Sequence, residues 1–422
     1  MKEFLVDRLL YSFVRIFKPL QPIPPELKRN FLHLYFDIGW YGVLSGTSLA
    51  FLSIYATRIH ASGQQIGLIS AGPAVMNLLF TLPAGMLLNK FSVNKTVFWA
   101  SVLNRIFYAS WIFLPIFVPD QTSIWLLILS TLVMNIPGAV MSVGFTVFFG
   151  EAVPPEWRST VAGTRNAVIG LVTMISTLVS GQILNRFSME TGYAIVFGVG
   201  FLGAAMSSYH LFKIKPVKIP QLSEPAKEIS EIVKPQKKIN LSVLRGKFGW
   251  VVGLLFFFHL FQFLPAAIFP VFLINHLGLN EQSVSIGSTL FFFTQFIISL
   301  RLSNLVRRSN NLRVLGIGMI LYGFYPLFLP IAANPLIFYL VSAVGGFAMG
   351  MLGGVILNYL LERMADSDRP AHMVLYNLSL NTAILGGSML GPALADWYGF
   401  IPALVFIAIG RSLVGVAILR WG

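Results

Sequence analysis

The amino-acid sequence predicts an all-α integral membrane protein with twelve transmembrane helices, arranged as two six-helix bundles with both termini in the cytoplasm. Its 422 residues are 56% hydrophobic and only 11% charged, which excludes an ordinary soluble protein. Apolar runs long enough to cross a bilayer, about 20 residues each, recur along the whole chain. One polar stretch near the middle separates these runs into two sets of six, so the sequence predicts two halves joined by a linker.

The predicted organisation has four segments. Residues 1–30 contain an amphipathic stretch, Met1 to Leu20, which is expected to lie as a helix in the membrane interface. Residues 31–212 form the first bundle, residues 213–247 a cytoplasmic linker, and residues 248–422 the second bundle. The linker contains four prolines and no apolar run of spanning length. The predicted spans are Phe31–Thr57, Ile66–Leu88, Thr96–Val118, Ile124–Phe149, Val161–Leu184, Tyr193–Phe212, Gly249–Leu273, Val284–Leu305, Val314–Ile331, Leu336–Leu361, Val374–Ala395 and Phe400–Leu419.

The basic residues predict the orientation of the spans. Short loops on the side of the N-terminus carry nine of them, whereas the loops of the opposite side carry only Arg58 and Arg186. This asymmetry places both termini and the linker in the cytoplasm. It also accounts for the net charge of +14 through topology and contact with anionic lipid, so no nucleic-acid partner is expected. The nine residues are Lys90, Lys95, Arg158, Arg165, Arg307, Arg308, Arg313, Arg363 and Arg369.

Asp37 is the polar residue of the predicted spans that constrains function most. On a helix it shares one face with Tyr41, Ser45, Ser48 and Tyr55. A carboxylate in hydrocarbon costs several kcal/mol unless it is paired, hydrated or protonated. This face is therefore expected to point inward, and Asp37 is a candidate functional residue.

Arg105, in the third span, is the expected partner of Asp37. Asp37 lies about 9 Å and Arg105 about 14 Å from the cytoplasmic ends of their spans, and an arginine side chain can bridge that difference. In one hypothesis the pair couples transport to protons, because breaking it lets the acid take up a proton. In another it is a permanent ion pair between two spans. In a third, the helix dipole stabilises Asp37 near the start of its helix.

Six residues are candidates for substrate binding. Asn135 lies on a face of the fourth span that carries hydrogen-bonding side chains, and His259 and Gln262 lie one turn apart in the seventh span. The alternative for each is hydrogen bonding between helices, which needs no substrate. Arg411 has no obvious acidic partner, so snorkelling and a cavity role both stay open. The six candidates are Tyr41, Asn135, His259, Gln262, Asn377 and Asn381.

An internal repeat and two loops of the chain resemble those of the major facilitator superfamily. The repeat aligns Val179–Phe187 with Met389–Trp397, and the sequence PPEWRSTVAGTRN precedes the fifth span. The loop Gly85–Lys95, GMLLNKFSVNK, is similar to the superfamily's loop motif, although Asn89 stands where an aspartate is usual and Ser92 where a glycine is usual. The resemblance covers essentially the whole chain. It implies a pseudo-symmetric fold, a cavity lined by spans one, four, seven and ten, a functional monomer, and a gating loop of Gly85, Asn89, Lys90 and Lys95.

From these residues we expect a secondary active transporter that moves a small amphipathic or aromatic-bearing solute by alternating access, coupled to protons through Asp37 and Arg105. Phenylalanines of spans seven and eight, among them Phe261 and Phe291, are expected to line a mostly apolar cavity. Met134 stands near the arginine that the superfamily's drug antiporters usually carry in span four, which argues against a standard drug antiporter. The alternatives are an uncoupled facilitator or a lipid-type flippase, and then a scaffold or receptor that never transports. Import and efflux both stay open.

No enzyme is expected from this sequence. It has neither a phosphate-binding GxxxxGK[ST] sequence nor an HExxH metal pair, so no catalytic residue, metal site or cofactor is predicted. The expected partners are a small-molecule substrate, the lipid bilayer and protons as the coupling ion. The expected location is a prokaryotic inner membrane, because the predicted outside loops carry no Asn-x-Ser/Thr glycosylation acceptor.

Overall fold

The computed structural model describes residues 24–215, 247–332, 334–364 and 369–422, and in these ranges the regular structure is helical. The amphipathic stretch predicted over Met1 to Leu20 and nearly all of the predicted linker lie outside the described residues. The described part therefore consists of the membrane-spanning helices and the short connections between them.

Twelve helical rods make up the described structure, and we number them α1 to α12 in chain order. Four rods contain a break or a change of helix type. α1 is Pro25–Leu44, a π-helical turn Ser45–Leu49 and Ala50–Arg58; α3 is Val93–Arg105, Phe107–Trp111 and Leu114–Phe117; α7 is Lys247–Phe263, Pro265–Val271 and a π-helical turn Phe272–His276; α9 is Asn311–Phe328 and a 3-10 turn Leu329–Ile331. The others are α2 Gly63–Lys90, α4 Asp120–Ala152, α5 Pro155–Arg186, α6 Met189–Lys213, α8 Glu281–Arg308, α10 Pro335–Leu361, α11 Arg369–Tyr398 and α12 Phe400–Trp421. We call α1 to α6 the N half and α7 to α12 the C half.

Eleven of the rods, α2 to α12, are long and apolar enough to cross a membrane. α1 completes the predicted set of twelve. Its first α-helical stretch carries several charged residues, among them Lys28, Arg29 and Asp37. The predicted all-helical membrane fold is thus confirmed, and the chain is a multi-pass integral membrane protein.

Several rods begin at a residue whose side chain caps the helix, a few residues after the preceding rod ends. Ser62 and Gln65 form a capping box at the start of α2, in which each side chain bonds the other residue's backbone N–H. Asn280, Asn310 and Asn334 cap α8, α9 and α10 in a similar way. Because these connections are short, consecutive rods run antiparallel. We call the end at which the odd-numbered rods begin the inner end, and the opposite end the outer end.

The two halves share a hydrophobic core at the outer end. This shared core contains Phe197 of α6 together with Ile268 of α7 and Phe338 of α10. Toward the inner end the N half has its own core around Phe148, and the C half has another around Leu255. Among the described residues, the halves are therefore joined by apolar packing at the outer end and packed separately at the inner end.

Gly391 of α11 lies directly against α7, with the carbonyl oxygen of Leu264 in the space that a methyl group would occupy. We expect Gly391→Ala to lower the free energy of unfolding by about 1 to 3 kcal/mol, because the two rods would have to move apart. Gly353→Ala in α10 is the matched control, since nothing lies within 4 Å of the position of its Cβ. Thermal melting of the two purified variants checks the expectation, and equal melting temperatures would contradict it.

Candidate functional site

Asp37 is buried in the N half and is paired with a cation of α5. Its Oδ2 lies 3.0 Å from Nη1 of Arg165, and its Oδ1 accepts a hydrogen bond from the hydroxyl of Ser207 in α6. Arg165 also donates to the carbonyl oxygen of Leu34 at 2.7 Å, and its guanidinium lies 4.8 Å from the centre of the Phe145 ring. Asp37 and Arg165 are only 3% and 7% exposed. The carboxylate therefore joins α1 to both α5 and α6.

The expected direct pairing of Asp37 with Arg105 is wrong. Arg105 instead donates to the hydroxyl of Ser208 at 2.8 Å, next to the serine that bonds Asp37. The physical reason is competition for the carboxylate: Arg165 and Ser207 bond its two oxygens, while Arg105 lies beside Tyr41, one turn farther along α1. Arg165 was counted as a loop cation, and its position four residues inside the predicted fifth span was the signal that could have identified it.

The resulting N-half cluster carries an excess of positive charge. We define it as Asp37, Tyr41, Arg105, Arg165, Ser207 and Ser208. It contains two guanidinium groups and one carboxylate, and Arg105 lies 5.9 Å from the centre of the Tyr41 ring. Because burial weakens the screening of charge by water, this cluster can hold an anion or exchange a proton at its carboxylate.

His259 and Gln262 are brought together in the C half, as their spacing predicts. His259 Nδ1 lies 3.0 Å from Gln262 Oε1, and its Nε2 lies 3.0 Å from the hydroxyl of Tyr376 in α11. Both ring nitrogens thus have partners, so the buried imidazole links α7 to α11. Tyr376 was not identified from the sequence, since a single tyrosine in an apolar span carries no pattern.

We expect Tyr376→Phe to lower the free energy of unfolding by about 1 to 3 kcal/mol, because it leaves one buried nitrogen of His259 without a hydrogen-bond partner. Tyr398→Phe, at the exposed end of the same rod, is the matched control and is expected to leave stability unchanged. Chemical unfolding of both variants provides the measurement. A Tyr376→Phe variant as stable as the native protein would show that the imidazole has another partner.

The asparagine candidates lie on two further rods. Asn135 donates to the carbonyl oxygen of Thr131 in its own helix at 2.6 Å. Asn381 donates to the carbonyl oxygen of Asn377 at 2.8 Å, and its Oδ1 lies 3.5 Å from Asn77 Nδ2 of α2, which is a contact between the halves. The structure describes no hydrogen bond that joins these asparagines to His259 or to the N-half cluster. The six substrate candidates therefore do not form one hydrogen-bonded group.

The predicted aromatic wall is partly used for packing inside the C half. The Phe261 ring packs against Phe406 at 5.6 Å between ring centres, and the Phe291 ring packs against Tyr325 at 5.8 Å. Phe257 is 51% exposed, so the phenylalanines of spans seven and eight do not form one packed wall.

The predicted gating loop lies at the inner end of α2 and α3. Gly85 is buried, and Lys90 and Lys95 are exposed; the side chain of Asn89 lies outside the described part. The two lysines border a cavity of about 590 Å³ that also contacts Trp99 of α3 and Pro137 of α4. The loop is thus close to the inner half of α4.

An ion pair closes the outer end across the two halves. Arg58, the last residue of α1, donates from Nε and Nη2 to the two carboxylate oxygens of Glu281 in α8, at 2.7 and 3.1 Å. Tyr193 of α6 donates to the same carboxylate at 3.2 Å. We call these three residues the outer bridge. From the sequence, Arg58 is only a loop charge and Glu281 has no predicted role, because nothing in either span indicates that the two ends meet.

Comparison with known proteins identifies the chain's relatives. The family model described as Major Facilitator Superfamily matches residues 38–266 and 251–421. The chain is 26% identical over 265 residues to the nitrite extrusion protein of Bacillus subtilis and 25% identical over 242 residues to the probable nitrate transporter NarT of Staphylococcus epidermidis. These alignments cover 61% and 55% of this chain, and they span 60% and 54% of the lengths of the two relatives.

Solved structures with the same fold include two transporters. The xylose transporter XylE from E. coli, in a partially occluded inward open conformation, superposes with a TM-score of 0.67 at 13% identity, covering 94% of this chain and 97% of that one. The nucleoside transporter NupG superposes with a TM-score of 0.63 at 13% identity, covering 93% of this chain and 98% of that one. At such low identity these likenesses establish the fold.

Proposed function

Because the chain belongs to the Major Facilitator Superfamily, we propose that this transporter works by alternating access between its two six-helix halves, and that the structure corresponds to the state open at the inner end. The observation that carries the proposal is the placement of the cores. The halves share apolar packing and the outer bridge at the outer end, whereas each half has its own core at the inner end. Transport would then require the outer contacts to separate while the inner ends close.

The proposed coupling site is Asp37 with Arg165 as its direct partner and Arg105 as a neighbouring cation. A charge pair so deeply buried is destabilised when either member loses the other. If α1 moves relative to α5 during transport, Asp37 would lose Arg165 and take up a proton instead. The proton would leave when the pair forms again, which links proton movement to the change of state.

We propose a small anion as the substrate. The N-half cluster contains two cations and one carboxylate, and the phenylalanines expected to face an aromatic solute are partly packed inside the C half. The two partial relatives named for nitrite and nitrate support the same chemistry. The competing candidate is the amphipathic or aromatic-bearing solute favoured by the sequence, and a facilitator or flippase would use the same fold without proton coupling. We propose that this transporter acts as a monomer in a bacterial inner membrane.

The proposal is tested by thermal melting of the purified protein with a chemically broad ligand panel at two pH values. The panel contains nitrite, nitrate, xylose, a nucleoside and an amphipathic aromatic compound. A ligand at about 100 times its dissociation constant adds roughly 2.7 kcal/mol of stability. Stabilisation by the anions alone, followed by flux of the same anion into proteoliposomes driven by a pH gradient, supports the proposal. Stabilisation only by the aromatic compound overturns the anion assignment, and flux indifferent to pH overturns the coupling.

A further inference from the structure

Arg411 is fully buried in the C half and pairs with backbone carbonyl groups instead of a carboxylate. Its Nε donates to the carbonyl oxygen of Phe261 at 3.1 Å, its Nη2 to that of Gln262 at 3.1 Å, and its Nη1 to that of Tyr322 at 3.2 Å. Its guanidinium also lies 4.1 Å from the centre of the Tyr322 ring. One side chain of α12 thus bonds the backbones of both α7 and α9.

Two of these carbonyl groups lack their usual helical partner for a covalent reason. In an α-helix the N–H of residue i donates to the carbonyl of residue i−4, and proline has no N–H. Pro265 therefore leaves the carbonyl of Phe261 without this donor, and Pro326 does the same to the carbonyl of Tyr322. Arg411 supplies donors at both positions. A carbonyl without a donor is costly in the interior of a membrane protein, so the arginine and the two prolines form one arrangement.

The break in α7 is also held from its other side. Gly387 and Gly391 of α11 lie against the backbone of Leu260 and Leu264. Beyond the break, the segment Pro265–Val271 packs against α11 and α12 of its own half and also against α2 and the outer part of α1 in the N half. This segment is therefore tied to the C half at the break and contacts both halves beyond it.

We propose that Arg411 is a positioning residue that fixes the proline break of α7 to α9 and α12, so that the outer part of α7 moves with the C half when the outer end opens. The inference rests on the alternating access proposed above. Without Arg411, the two proline-freed carbonyls would need other donors. Only the packing of the outer part of α7 on α11 and α12 would then oppose its packing on α1 and α2. Arg411 acts through the backbone of α7 and α9, whose carbonyl groups are its hydrogen-bond partners.

A double-mutant cycle between Arg411 and Pro265 tests the proposal. Arg411→Met is expected to lower Tm by about 5 °C or more, because several buried hydrogen bonds are lost. With Arg411 present, Pro265→Ala lowers Tm, since its new N–H competes for the carbonyl of Phe261 and straightens the break. In the Arg411→Met background the same substitution raises Tm, because that N–H now supplies the missing donor. Additive effects of the two substitutions would overturn the proposal.

Pro270 provides the matched control, since it lies in the same segment and leaves the carbonyl of Ala266 without its donor, which Arg411 does not contact. Pro270→Ala is therefore expected to act additively with Arg411→Met, and an equal coupling would overturn the assignment. Pro326→Ala is expected to couple as Pro265→Ala does. If Arg411→Met cannot be purified, Arg411→Lys replaces it in the cycle, because a single ammonium group cannot reach three carbonyls of two helices in this planar arrangement.

A distance measurement separates positioning from mere stability. The chain has no cysteine, so spin labels can be attached to cysteines introduced only at Leu336 and Asn275, which are exposed at the outer ends of α10 and α7, both in the C half. Arg411→Met is expected to broaden the distance distribution, and Pro265→Ala is expected to narrow it again. A lower Tm with an unchanged distribution would overturn the positioning role. This readout needs no substrate, so an absence of flux in the native protein would reject the proposed function and leave this result unaffected.

Discussion

Neutralising Asp37 is expected to abolish proton-coupled transport and to lower the free energy of unfolding by about 3 to 5 kcal/mol, because Arg165 would remain buried without a counter-charge. The variant is Asp37→Asn, which keeps the shape of the side chain and removes its charge. Unfolding of the purified protein measures the stability, and a pH-sensitive dye in proteoliposomes measures proton movement with the identified solute. Asp396→Asn, at the exposed end of α11, is the matched control and should change neither quantity.

The double variant Asp37→Asn with Arg165→Gln separates coupling from folding. It removes both charges of the pair, so most of the lost stability is expected to return. Proton movement is expected to stay absent, because no carboxylate remains in the N-half cluster. A double variant that regains proton movement would locate the coupling site elsewhere. A double variant that stays as unstable as Asp37→Asn would show that the unpaired charge of Arg165 is not the main cause of the lost stability.

Opening of the outer bridge is expected to shift the conformational equilibrium toward the state open at the outer end. Glu281→Gln removes the charge that binds Arg58 and weakens the bond from Tyr193. Loss of this partly buried pair should favour outer opening by about 1 to 3 kcal/mol, which is a change of about 5-fold to 150-fold in the ratio of the two states. Spin labels on cysteines introduced at Gln121 and Leu336 report the change as a longer distance across the outer end.

Two comparisons make this expectation specific. Exchanging the charges, with Arg58→Glu and Glu281→Arg together, is expected to restore the short distance, because the opposite signs again face each other. Glu362→Gln affects an exposed ion pair with Arg363 at the inner end and should leave the distance unchanged. An outer end that stays closed in Glu281→Gln would mean that the shared apolar core alone holds it.

The membrane fold could be read from the sequence because its signals are local. A run such as Gly63–Lys90 is long and apolar whatever its neighbours are, and length and hydropathy together indicate a spanning helix. The charge of Asp37 in such a run also identified it as a buried group that needs a partner. The spacing of His259 and Gln262 predicted that the two side chains share a face of the helix. In the structure they are hydrogen-bond partners.

The partners of those residues could not be derived in the same way. Which cation meets Asp37 depends on how far α3 and α5 are shifted along their axes and how each is rotated. A shift of either helix by a few ångströms would decide whether Arg105 or Arg165 is the direct partner of Asp37. The hydropathy of the sequence contains no information on such shifts. The outer bridge is a still clearer case, since Arg58 and Glu281 are 223 residues apart in sequence, with α2 to α7 between them.

The sequence by itself determined the all-helical membrane class, the number and order of the spans, the family, and the need for a partner at Asp37. The tertiary structure alone decided that Arg165 is this partner, that Glu281 meets Arg58, and that Arg411 donates to carbonyls freed by prolines of two other rods. The physical reason is that spanning a bilayer is a property of each helix, fixed by its own composition. Polar pairing within the bilayer is a property of the packed bundle, where a few hydrogen bonds between distant helices are set by the shift and rotation of every rod.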